Sequence, residues 1–206
     1  MKLFKRLPSL PSVQNTLLQK WIALNAFCIA LVAAAYSQGW VTYILEHDVS
    51  NVSYMLAIGG IVGLIISFFK AVALNKREKN VDVEAASFRK KVNESENPGT
   101  RSSEIRESLK NGLMSNILVV PMFGNTLLFL GVLGTVAGLI IGFYGVTPAS
   151  VSTVSGMVPV VAGLLKGLSI AFHTTLVGGI FSLWLQTNHF LLTQSSSSIY
   201  QKILDR

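Results

Sequence analysis

Four stretches of the chain contain no Asp, Glu, Lys or Arg: residues 21–45, 49–69, 111–165 and 167–201. About 20 apolar residues cross the roughly 30 Å hydrocarbon core of a bilayer as a helix, so each of the first two stretches supplies one span. The other two supply one span each. Between them the pattern breaks at Val146–Ser155, where Thr147, Pro148, Ser152, Thr153 and Ser155 crowd a short loop and Pro159 suits the first turn of the next helix. The pattern predicts an all-α membrane protein with four transmembrane helices. It divides into a tail (1–20), helices one and two (21–74), a polar segment (75–113), helices three and four (114–194) and a second tail (195–206).

The segment 75–113 has helical spacing of its own, with Val81, Ala85, Phe88 and Val92 followed by Ile105, Leu109 and Leu113. Two short amphipathic helices are expected, joined by a linker over Asn93–Ser103 that contains Pro98-Gly99, with the second helix starting at Ser103-Glu104. They either extend and solvate the membrane helices or form a docking surface for a cytoplasmic partner. The run Ser195–Ser198 reads as fraying towards the C-terminus.

Composition agrees with a membrane protein: half of the 206 residues are hydrophobic and 13% are charged. The net charge of +7 reads as topology, not as a nucleic-acid surface. Of the 17 basic residues, 16 lie in the N-terminal tail, in 70–110 or after 201, and loops 38–53 and 146–157 carry none. The positive-inside rule therefore places both termini and the central segment in the cytoplasm, with Lys166 as the exception. Residues 1–35 also have the basic start, apolar run and small residues (Ala33-Ala34-Ala35) of a cleaved signal, although a 20-residue lead with Pro8 and Pro11 is long for one. A single cysteine, Cys28, excludes an intrachain disulfide. The chain is expected to be neither an enzyme nor a holder of a metal or cofactor.

In lipid, helices associate through close backbone packing at small residues. Gly134, Gly138 and Gly142 form a ladder on the third helix and Gly163 and Gly167 a step on the fourth, with Gly59 and Gly63 on the second. The face carrying the first ladder is expected to hold an oligomer together. Between Glu107 and Asp205 there is no Asp or Glu, so any ion-carrying acid in this half must come from another chain. Thr175, Gly179, Ser182, Gln186, His189 and Thr193 recur every three or four residues as a polar stripe, the expected pore or partner face, with Thr174 and Gly138 in support. His173 lies about 200° from Thr175 around the helix and points away from it.

The run Leu130-Gly131-Val132-Leu133-Gly134-Thr135-Val136-Ala137-Gly138-Leu139 and the run Ala171-Phe172-His173-Thr174-Thr175-Leu176-Val177-Gly178 resemble the two signature helices of the MotA/TolQ/ExbB family of proton-channel subunits. The resemblance covers about residues 115–192. It implies a homo-oligomer, a pentamer, in a bacterial inner membrane, enclosing a dimer of a single-span protein whose membrane Asp carries H⁺ or Na⁺. It also implies that Thr135 and Thr175 line the ion path. A non-conducting scaffold of an envelope machine is the alternative. The chain departs from the TolQ and ExbB members in having four predicted spans, and Ile170 where an acidic residue precedes the second motif. Four spans resemble the flagellar stator branch, whose cytoplasmic domain is much larger than this segment of about 40 residues.

Overall fold

The computed structural model describes residues 17–47, 51–93, 98–148 and 152–205, and contains no strand among them. In chain order the helices are α1 (Leu17–Ser37), α2 (Trp40–His47), α3 (Val52–Lys79), α4 (Val81–Asn93), α5 (Pro98–Met114), α6 (Val119–Phe143) and α7 (Val154–Asp205), with one 3-10 turn at Ser115–Ile117 before α6. Four of them, α1, α3, α6 and α7, are long and apolar enough to cross a membrane. The protein is an all-α, multi-pass membrane protein.

α6 and α7 form the most extensive contact in the molecule, and α3 packs across both. The close approach follows from glycine. A Cβ placed on Gly138 would lie 2.7 Å from both Ala171 N and Gly167 O, a separation that no side chain can adjust because both neighbours are backbone. Gly134 is closed by the side chain of Thr174, whose Cβ and Oγ1 would lie 2.7 Å from an added methyl. The glycine ladder is therefore used inside one chain, and the expectation that Gly134, Gly138 and Gly142 join neighbouring subunits is corrected. The periodic signal of a ladder is the same for either contact. Gly163 sits more loosely, with 3.7 Å from an added Cβ to Gly142 O.

α1 is peripheral. Only Leu17 and Asn25 on it are buried, while Phe27, Ile29, Leu31 and Tyr36 face outward. It turns into α2 at Gly39, whose φ of 80° is the left-handed conformation a glycine adopts just past a helix end. The outer loop expected at 38–53 thus holds a short helix, with Val41 and Ile44 turned inward and Trp40 and Tyr43 exposed.

At the opposite end, the two amphipathic helices of the polar segment are present as α4 and α5. α5 begins at Pro98, five residues before the expected Ser103; a proline at the first helical position lacks an N–H that would have had no partner there. Residues 94–97 of the expected linker lie outside the described residues. Fraying at Ser195–Ser198 is also corrected. α7 runs unbroken for 52 residues, about 78 Å, because Leu192, Ser196, Ile199 and Ile203 recur on one face and are fully or almost fully buried. The three apolar ones join Leu74, Val81 and Ala85 in the main apolar cluster. Lys202 Nζ donates to Glu78 Oε1 at 2.9 Å beside this contact. Pro159 is the sixth residue of α7 and lies inside the helix, two residues beyond the opening turn that the sequence predicts for it.

Candidate functional site: a hydroxyl pair on the α6–α7 seam

Thr135 and Thr175 meet along one edge of the α6–α7 contact, their hydroxyls in direct hydrogen-bond contact although 40 residues separate them. Thr135 Oγ1 also lies 3.2 Å from Gly131 O in its own helix and 3.4 Å from Ala171 O across the seam, and Thr175 Oγ1 lies 3.4 Å from Gly131 O. Bonding of a hydroxyl to the carbonyl four residues earlier is ordinary for an intramembrane threonine. The cross-helix contacts are not. Two hydroxyls have two donor hydrogens, which Gly131 O, Ala171 O and the partner hydroxyl can absorb, while acceptor lone pairs on both oxygens stay available. Gly131 permits this meeting, since a Cβ there would stand 3.0 Å from Thr174 O and hold the backbones apart.

Both threonines are half-buried, and the surface beside them is open. On α7, Leu168, Phe172, Gly179 and Gln186 lie within roughly 60° of Thr175 around the helix. Phe172 is 64% exposed, and nothing lies within 4 Å of a Cβ placed on Gly179. On α6, Leu128, Val132 and Leu139 flank Thr135 and are also exposed.

The remaining expected site residues divide. Thr174 is fully buried beneath Gly134 and bonds within its own helix to Ile170 O and Ala171 O, both at 3.1 Å. Ser182 is 1% exposed, because Gly124 brings α6 against its backbone. Gly138 is enclosed by Gly167 and Ala171. These three are corrected from a pore or partner face to the interior of one chain, so the polar stripe is interrupted at Ser182. Gly142 and Gly167 also lie in the α6–α7 contact. His173 is turned to the other side of α7, with its ring 5.9 Å from Tyr43 of α2 in an edge-on arrangement and its Nδ1 buried without a hydrogen bond among the described residues.

One polar cluster escapes the sequence reading. Asn25 Nδ2 donates to Asn188 Oδ1 at 2.8 Å, Asn188 Nδ2 to Asn25 Oδ1 at 3.3 Å, and Trp184 Nε1 to Asn25 Oδ1 at 2.8 Å. The second amide hydrogens go to Trp21 O and Trp184 O, and Trp21 Nε1 donates to Ser67 Oγ at 3.1 Å. An asparagine inside an apolar run is the signal that marks each partner, but the pairing across 163 residues is not periodic. The network ties the otherwise exposed α1 to α7 and α3. Asn188→Leu leaves the Asn25 amide buried without its partner, an expected loss of about 1–3 kcal/mol. The double variant with Asn25→Leu is expected to recover part of it. Thermal unfolding in detergent checks both, and a single variant as stable as the wild type would show that the pair adds nothing.

A sequence model of the MotA/TolQ/ExbB proton channel family matches residues 79–204, well over half of the chain and including both threonines. Searches of curated proteins and of solved structures found no significant match.

Proposed function

This chain belongs to the MotA/TolQ/ExbB proton channel family, and on that premise we propose that it is the ring-forming subunit of an ion-driven motor, coupling an ion gradient to the movement of a single-span partner. The observation that carries this reading is the hydroxyl pair of Thr135 and Thr175, which borders an open face in a half of the chain without an intramembrane carboxylate. A carboxylate brought from a partner helix loses water on entering the bundle, and that loss favours its protonated form unless other oxygens replace the hydration. The two hydroxyls supply such oxygens. Neither ionises usefully near neutral pH, so the partner's Asp carries the ion and the threonines position it. The same oxygens serve H⁺ or Na⁺.

In this proposal five copies enclose a dimer of the partner in a bacterial inner membrane. Both termini and the α4–α5 pair are cytoplasmic, a side supported by the concentration of basic residues there. The exposed apolar surfaces of α6 and α7, with Gly179 offering an opening, are where subunits and partner helices pack.

Reconstitution tests the reading. Proteoliposomes containing the chain alone are expected to hold a pH gradient, and those containing it with a single-span protein bearing a membrane Asp are expected to dissipate the gradient. Conduction by the chain alone would overturn the division of labour. A tight membrane with the partner bound would favour the non-conducting scaffold.

A further inference from the structure

Where α3 emerges from the bundle, a cleft of about 250 Å³ opens between it and the α5–α6 connection. Its floor is apolar: Leu74, Leu113 and Ile117, each at most 5% exposed. Its rim carries Lys70 and Arg77, seven residues apart on one face of α3, and no acidic residue lines it. Among the described residues no ion pair holds either side chain. The opposite wall includes Gly112, where an added Cβ would meet nothing within 4 Å. Arg77 also borders a larger cleft of about 510 Å³ that carries Glu84 and Glu104, so the acidic groups lie on that side and the Lys70 side stays basic.

The position of this cleft along the helix identifies what it faces. From Val52 to Phe69, α3 has no charge for 18 residues, which at 1.5 Å each span about 27 Å, close to the hydrocarbon thickness. Lys70 is therefore the first group in the headgroup layer, and Arg77 stands about 10 Å beyond it. At about 250 Å³ the cleft is below the ~300–1,000 Å³ of clefts that take whole drug-sized solutes. Two unpaired cations over an apolar floor at the edge of the hydrocarbon match a phosphodiester whose acyl chains continue into the bilayer. We propose that the cleft between α3 and the α5–α6 connection binds an anionic phospholipid, its phosphate between Lys70 and Arg77 and its glycerol over Leu74 and Leu113.

Native mass spectrometry and titration of the delipidated full chain with phosphatidylglycerol and with phosphatidylcholine of the same acyl chains test this. Phosphatidylglycerol is expected to bind tightly and phosphatidylcholine weakly. At about fivefold per basic residue near a membrane surface, Lys70→Gln with Arg77→Gln is expected to weaken phosphatidylglycerol binding about 30-fold. Lys76→Gln, on the same helix and outside the cleft, is expected to leave it unchanged. Gly112→Leu fills the cleft without altering charge and is expected to remove binding while the thermal unfolding temperature holds. Equal binding of the two lipids would overturn the proposal, as would a loss in Lys76→Gln matching that of the double variant. Displacement of the lipid by inorganic phosphate at equal concentration would also overturn it, by showing a site for the soluble anion.

Discussion

The double variant Thr135→Val with Thr175→Val is expected to assemble and retain its partner while ion flux falls by about 100-fold or more. The size follows from what the hydroxyls do. A hydrogen bond to a charged or charge-developing group contributes about 1.5–3 kcal/mol, and each 1.4 kcal/mol on a barrier is a factor of ten, so removing two such hydrogen bonds from the path slows flux by at least two orders of magnitude. The cost to folding is much smaller. Gly131 O and Ala171 O, which the hydroxyls approach, lie within helices and keep their backbone partners when the hydroxyls are gone. Valine retains the β-branched shape, but two γ-methyls need more room than two hydrogen-bonded hydroxyls, so assembly is read alongside flux. Flux is read with a pH-sensitive dye in proteoliposomes containing the partner, and assembly by native mass spectrometry on the same preparation. Either single variant is expected to fall between. Full flux in the double variant would move the ion path away from this seam and favour the scaffold reading; loss of the oligomer would make the pair a packing element.

The four spans are legible in the sequence because the bilayer excludes charge, and the positions of 27 charged residues mark where each helix leaves it. What the pattern cannot supply is the identity of the surface each helix meets. Gly134, Gly138 and Gly142 read as a contact face, yet whether that face meets α7 of the same chain or a second copy depends on distances between helices, not on spacing along one. Thr174 and Thr175 are adjacent and chemically identical, but 100° of rotation buries the first under Gly134 and leaves the second at the seam. The polar stripe and the resemblance both single out Thr175, but the stripe also takes in Ser182, which α6 buries. The extension of α7 past residue 195 is masked by four serines, whose low apolarity hides that only Ser196 falls on the buried face and that Ile199 and Ile203 continue it. Asn25 and Asn188 satisfy one another in a geometry that no local rule encodes.

Two glycines on α7 give opposite predictions for the same added methyl group. In a helix, Gly→Ala by itself stabilises by about 0.5–1 kcal/mol, through the backbone entropy that glycine forfeits on folding. At Gly179 nothing lies within 4 Å of the new Cβ, so Gly179→Ala is expected to show that gain. At Gly167 the new Cβ runs into Gly138 O, Gly142 N and Gly142 Cα. These atoms belong to the backbone of another helix and cannot rotate aside, so α6 and α7 must separate. Overpacking against adjustable side chains costs about 1–3 kcal/mol, and a rigid neighbour puts Gly167→Ala at or above the top of that range. Separation also parts the threonine pair, which lies on the same seam, so flux is expected to fall together with stability. Unfolding of the two variants in detergent measures the contrast, and equal stabilities would show that the α6–α7 contact is not closed by Gly167. Gly179→Leu then distinguishes packing from partnership. It fills the opening beside Thr175 from a Cβ that meets no neighbouring helix within 4 Å, so its fold is expected to persist while flux with the partner drops at least tenfold, the effect of about 1.4 kcal/mol on the barrier. Undiminished flux in Gly179→Leu, with the fold intact, would mean that the partner helix does not pass this face of α7.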